Sequence, residues 1–187
     1  MTSPLYVYDD SLLKYRFHSK HPFNQMRLKM TTDLLMASGH LSASDIIKPR
    51  EATDEELELV HKGDFIEAVK LAGEGKLSEE KMESYGLNTE DTPSFEGMHE
   101  KSRMLVGATL SAVEAVMEGR TDKALSLAGG LHHGFSGRAS GFCIYNDSAV
   151  AIEHIRKKYG KRVLYIDTDA HHRSEERRVG KECPLLC

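Results

Sequence analysis

The first apolar run, LYVYD (Leu5 to Asp9), is short and rich in β-favouring residues, and it predicts the first strand. Between Pro22 and Ala37 the apolar residues Met26, Met30, Leu34 and Leu35 recur at helical spacing, with Gly39 following as a stop. Thr53 and Glu56 form a capping-box pattern that starts a helix through about Val60. DFIEAVKLA (64–72) predicts a further short helix, ended by Gly73 and Gly75. From Glu83 to Gly97 periodicity is lost and Pro93 intervenes, which predicts a long loop of the kind that is often functional.

From about His99 to Glu118, Met104, Leu105, Ala108, Ala112, Ala115 and Val116 predict a closely packed helix. KALSLA (123–128) reads as a short buried strand, and GGLHHGFSGRASGFCIYND (129–147) as a glycine-rich connection. SAVAIEHIRKKYG (148–160) is amphipathic, with basic residues in its last turn and Gly160 as its C-cap. RVLYID (162–167) follows as another strand. Strand, loop, helix and strand in that order predict an α/β fold with a parallel sheet, whose ligands bind beyond the carboxyl ends of the strands.

Bulk properties narrow the classes. A chain of 187 residues is one domain or a large part of one. The formal charge of −4, without a basic stripe, argues against a nucleic-acid partner. The cluster Arg156, Lys157, Lys158, Lys161 and Arg162 complements a helix end. No window approaches the ~18 apolar residues of a membrane helix, so no membrane association is expected. MTSPLYVYDD lacks the basic and apolar regions of a signal peptide. Cys143, Cys183 and Cys187 form no paired framework, which fits a reducing cytoplasm.

Two stretches could carry chemistry, and both follow strands of one βαβ unit. In IDTDAHH, an extended backbone would project Asp167, Asp169 and His171 to one side. Converging carboxylates and imidazole suit a divalent metal such as zinc. Alone, the motif is better read as aspartates capping the next helix and histidines that pack or face solvent; its co-occurrence with the next stretch shifts the balance. In GGLHH, the adjacent imidazoles of His132 and His133 follow a strand, and histidine is the usual general base near neutral pH. The histidines His18, His21, His40, His61, His99 and His154 stand singly and read as structural or exposed. Cys143 reads as a buried small apolar residue.

GGLHHGFSGRASGFCIYND followed by VLYIDTDAHH, with HPFNQMRLKM (21–30) and DTPSFEGM (91–98), resembles the histone-deacetylase-like family, closest to its bacterial acetoin-utilisation branch. The resemblance runs from about Leu5 to His172 and implies the arginase/deacetylase fold, a three-layer α/β architecture around a central parallel sheet. It implies metal-dependent amide hydrolysis that releases acetate, with zinc or iron(II) as the metal and a structural monovalent cation besides. Asp169 and His171 match two of three metal ligands, His132 and His133 the tandem catalytic histidines, and Asp167 the carboxylate that orients His132. Gly141 and Phe142 match residues lining the acyl-lysine tunnel, Asp91 a rim aspartate for the substrate backbone, and Arg27 an arginine near the acetate exit. The implied partner is an acetylated lysine of a cytosolic protein, with acetyl-CoA synthetase suggested. A small-molecule deacetylase of the acetylpolyamine type is the other enzyme reading.

The pattern then breaks. The family continues Gly-Asp-Gly after its His-His pair, where this chain has Arg173 and Ser174. Arginase-type relatives of the fold carry an Asp where Arg173 stands, so a one-metal site is expected. RSEERRVGKEC (173–183) is similar to the translation of a widely used sequencing adapter. The expectation is therefore an N-terminal part of the domain over 1–172 and a non-native tail over 173–187. The family's third metal-binding aspartate and its oxyanion tyrosine would lie further downstream, making the literal chain an inactive fragment.

Overall fold

The computed structural model describes residues 3–171. The tail reading, with His172, Cys183 and Cys187, lies outside the described residues. Three short strands form a parallel sheet, with β1 (Leu5–Val7) between β2 (Ile46–Ile47) and β3 (Ala124–Leu125). Tyr6 stands opposite Ile46 on one side, and Leu5 opposite Ala124 on the other. The helices are α1 (Met26–Ala37), α2 (Asp54–Leu57), α3 (Gly63–Gly73), α4 (Glu79–Ser84), α5 (Met98–Met117) and α6 (Asp147–His154). A π-turn (Ile155–Tyr159) extends α6 and ends at Gly160, whose φ of +62° is the left-handed stop expected there.

Alternation along β1 creates the layers. The Tyr6 hydroxyl shares a 2.9 Å hydrogen bond with Thr32 of α1 on one face. Val7 joins the core built on α5, with Leu105, Val106, Ala108 and Leu110. The backbone of 50–52 runs directly across α5 at Gly107, where a side chain would collide with it. Ala52 N–H donates to Arg103 O at 3.2 Å and Arg50 N–H to the Ser111 hydroxyl at 3.1 Å.

Beyond β3, which is not buried as expected since Leu125 is 47% exposed, the structure corrects the sequence reading of the elements in three places. Helix α1 exists, but Met26, Met30 and Leu34, three of the four positions that carried its period, do not face the core. Leu28 and Thr32 are buried, while Met30 and Leu34 are 69% and 68% exposed. The inward side is set by Leu28, which joins the core, together with the Tyr6–Thr32 hydrogen bond. Second, β2 and α4 were not anticipated, because two residues and six residues carry too little period to register. Third, 162–167 is not a strand. A strand needs a hydrogen-bonded neighbour, none is found for it among the described residues, and Leu164 stays 83% exposed.

The capping box at Thr53 is present with both bonds, Glu56 N–H to Thr53 Oγ1 at 3.2 Å and Thr53 N–H to Glu56 Oε2 at 2.9 Å. Glu56 also belongs to an ion network. The Arg50 guanidinium holds Glu56 through bonds of 2.7 and 2.6 Å, and Glu114 of α5 through bonds of 3.0 and 2.9 Å. Burial works to raise the Glu56 carboxyl, but Arg50 and the Thr53 amide outweigh it and hold it below its ordinary range. Replacing Arg50 by Met leaves two largely buried carboxylates without their main cation. The arginine is 34% exposed, so solvent screening reduces the loss to about 2 kcal/mol at pH 7. Both carboxylates have lowered folded pKa values, so this stability is whole above their unfolded range and is lost as pH falls from there through the lower folded range. Urea titrations of the two proteins should therefore differ at pH 7 and converge only once the pH has fallen below the lowered range of the folded carboxylates.

Candidate active site

The loop after β3 carries His132 and His133, and the hydrogen bonds around it explain how a glycine-rich segment holds one shape. Asp147, the first residue of α6, accepts from Gly130 N–H at 3.0 Å and Leu131 N–H at 2.7 Å. Asn146 caps α6 through Ala149 N–H at 2.9 Å. Its amide donates to His132 O at 3.2 Å and Gly134 O at 3.1 Å. His61 completes the support. Its Nδ1 lies 3.0 Å from Phe135 O, and its Nε2 accepts from Asn146 N–H at 3.0 Å. That pair of bonds fixes the neutral Nδ1–H tautomer, and burial pushes the His61 pKa down to about 4.

His132 and His133 lie side by side, with ring centroids 4.1 Å apart. His132 is buried, and its Nδ1 lies 2.7 Å from Asp167 Oδ2. Asp169 N–H donates to Asp167 Oδ1 at 3.0 Å, and the Tyr165 hydroxyl to Oδ2 at 2.9 Å. These bonds, the Asp169 amide foremost, hold the Asp167 carboxyl below its ordinary range. In turn, burial and the Asp167 carboxylate push the Tyr165 phenol up to about 12.

The side chains of 167–171 do converge, although not through strand alternation as the sequence suggested. Each aspartate accepts from the amide two residues on, Asp169 N–H for Asp167 and His171 N–H at 2.7 Å for Asp169, which coils the segment. His171 Nδ1 ends 2.9 Å from Asp169 Oδ1. The His171 ring lies 6.4 Å from that of His133. One carboxylate oxygen and one imidazole nitrogen meeting at a largely exposed point beside two histidines suit zinc or iron(II). Two donors do not complete a four-coordinate site.

Among the described residues, one trio brings three metal-type donors within 4.8 Å, namely Glu56, Glu114 and His154. Arg50 already neutralises both of its carboxylates, so the trio is an ion network.

Gly141 and Phe142 form the wall next to His133. A Cβ on Gly141 would meet the His133 ring at 2.9 Å, and its φ of +51° disfavours any side chain. Phe142 also has positive φ, +70°, held by the Tyr15 hydroxyl, which donates to Phe142 O at 2.6 Å. Its ring lies against His21, at 4.7 Å between centroids, and Phe23, at 6.0 Å. His21 Nε2 in turn lies 3.2 Å from Asp91 O, which ties the Asp91 loop to this aromatic wall. Arg27 sits over the Phe23 ring and donates to Leu127 O at 3.0 Å, placing it under the chain that leads into the histidine loop. Sequence reasoning missed the supports, Asp147, Asn146, His61 and Tyr15. The adjacent Asn-Asp before a helix was the one signal available, since it is an N-cap pattern.

The family model "Histone deacetylase domain" matches residues 21–173. The acetoin utilization protein AcuC of Bacillus subtilis (strain 168) is 60% identical over 172 residues, covering 92% of this chain and 44% of that protein. Its Staphylococcus aureus (strain MSSA476) counterpart is 53% identical over 167 residues, covering 89% and 43%. The chain thus spans less than half the length of the curated relatives it matches. Among solved structures, a histone deacetylase homologue complexed with SAHA superposes with a TM-score of 0.80 at 34% identity, covering 92% of this chain and 46% of that one. A homologue from Aquifex aeolicus gives 0.81 at 33%, covering 91% and 46%. The parallel sheet between helices is accordingly that of the arginase/deacetylase fold, and the chain belongs to the histone deacetylase domain family.

Proposed function

We propose that this chain contributes the histidine-pair half of a metal-dependent lysine deacetylase, linked to acetoin or acetate utilisation as the names of its relatives suggest. The observation that carries the reading is the His132–Asp167 pair at 2.7 Å, beside His133 and beside the Asp169–His171 donors. Asp169 and His171 would hold the zinc or iron(II), which when bound polarises the amide carbonyl and acidifies water. Asp167 keeps the proton of His132 on Nδ1, leaving Nε2 free to take a proton from water and return it to the leaving amine. His133, packed on His132, is the second proton carrier. Gly141 leaves room for the His133 ring, and Phe142 offers an apolar wall to an acyl-lysine stem. Asp91 supplies an exposed carboxylate near that wall for the substrate backbone, and Arg27 a cation for departing acetate.

The partner in this reading is an acetylated lysine of a cytosolic protein, acetyl-CoA synthetase being the suggested one, and a monovalent cation is a further structural component. With two metal donors among the described residues, the 187-residue chain alone binds metal weakly and does not turn over. The test has two arms. Calorimetric zinc titration of the chain should show weak binding that Asp169→Ala removes. Joined to the remaining half of a full-length relative, the chain should release acetate from an acetyl-lysine peptide in preference to an acetylpolyamine. His132→Ala should lower that rate about a hundredfold. Robust turnover by the isolated chain would overturn the fragment reading. An inactive joined protein that binds metal normally would overturn the deacetylase reading.

A further inference from the structure

Asp147 is a carboxylate with an unusual setting. It is 1% exposed, and it accepts hydrogen bonds from neutral donors: the Thr109 hydroxyl at 2.6 Å, Gly130 N–H at 3.0 Å and Leu131 N–H at 2.7 Å. Burying an ionised carboxylate costs several kcal/mol, and three short charge-assisted hydrogen bonds are what offsets it. Two of these donors are consecutive backbone amides, immediately before His132. The chain is also shaped around the carboxylate, because a Cβ on Gly129 would collide with Asp147 Oδ2 and Thr109 Oγ1. Gly130 then turns with φ of +84°, a conformation that glycine alone adopts freely. On the far side Asn146 grips His132 O and Gly134 O. The backbone of His132 is thus held before and after the residue, and the ring arrives at 2.7 Å from Asp167.

We infer that Asp147 is a positioning residue of this centre: its buried carboxylate grips the Gly130 and Leu131 amides and thereby aims His132 at Asp167. It touches no reacting atom. The inference takes its functional meaning from the deacetylase reading, but its measurement is independent of turnover.

The test is nitrogen-15 NMR on the full chain. The His132 Nδ1–H, bonded to Asp167, should give a slowly exchanging downfield imidazole proton. In Asp147→Asn, one acceptor oxygen becomes a donor facing the amides. The Gly130 and Leu131 amides should then exchange at least tenfold faster, and the His132 signal should be lost. The amides of Leu105 to Ala108 in α5 report that the fold persists. Where Asp147→Asn fails to fold, Thr109→Val removes one donor only and should accelerate the same amides while weakening the His132 signal. In either folded variant, faster amide exchange with an unaltered His132 signal overturns the inference and leaves Asp147 a stabilising residue only. Failure of acetate release in the joined protein would leave these signals unaffected, so the two ideas fail separately.

Discussion

Gly107→Ala should destabilise the protein by about 3–5 kcal/mol, although alanine is the better helix former. Gly107 lies in the interior of α5, where helix propensity alone would favour alanine by about 1 kcal/mol. The packing reverses that sign. A Cβ there would fall on the carbonyl oxygen of Arg50, 2.7 Å from Ala52 N and 2.8 Å from the Glu51 carbonyl carbon. All three are backbone atoms, so no rotamer change relieves the clash. Either α5 or the 50–52 segment must move, which breaks the Ala52–Arg103 and Arg50–Ser111 hydrogen bonds and displaces Arg50 from its two carboxylates. Overpacking costs typically ~1–3 kcal/mol, and each stranded backbone group roughly 1 kcal/mol more. Gly75→Ala is the control. Open space surrounds that position and only its φ of +69° opposes a side chain, so a loss of roughly 1 kcal/mol is expected. Urea unfolding of both variants measures the difference, and a Gly107→Ala protein as stable as Gly75→Ala would sink the argument.

Gly107 also shows where sequence reading stops. The run of small residues in α5 announced a closely packed helix, but not which backbone approaches it. The same limit applies to the site. His132, His133, Asp167, Asp169 and His171 were singled out by residue type and short spacing, and their proposed roles came from the family resemblance. The structure brings them together, with the 2.7 Å His132–Asp167 bond bridging 35 positions. Their supports were not legible. His61 was set aside as a solitary histidine, yet it is 3% exposed and lies between the backbones of Phe135 and Asn146, 74 and 85 positions away. In α1 the period was read correctly and the face incorrectly, since Thr32 finds its reason for burial in Tyr6 on another element. RVLYID has every intrinsic property of a strand, but pairing is a relation between segments, and none of the described segments supplies the partner.

The acid side of the stability profile should be steep between pH 6.5 and 4, with His61 as its main histidine contributor. In the folded chain, Nδ1–H donates to Phe135 O and the Nε2 lone pair receives Asn146 N–H. A second proton would sit on Nε2 and face that N–H, two donors with no acceptor between them. Burial adds to the penalty, and the pKa falls from 6.5 to about 4. The direction follows by linkage. Above pH 6.5 both folded and unfolded chains carry neutral His61, and the stability is whole. Below it the unfolded chain binds a proton that the folded chain refuses, so stability drops by about 1.4 kcal/mol per pH unit until the folded site titrates near pH 4. The accumulated loss is about 3 kcal/mol, a large part of the roughly 5–15 kcal/mol that holds a domain together. Burial also lowers His99 and His154, so their slopes have the same sign and a residual acid sensitivity remains without His61. Urea unfolding at pH 7, 6, 5 and 4 should therefore give a markedly flatter profile for His61→Gln, whose amide keeps one donor and one acceptor but cannot titrate. Because His61 holds Asn146, and Asn146 holds His132 O, acid should loosen the histidine loop before the rest of the fold. The amides of Gly134 and Asn146 should lose exchange protection at a higher pH than those of α5. Simultaneous loss throughout would show that His61 contributes to global stability without any special hold on the loop.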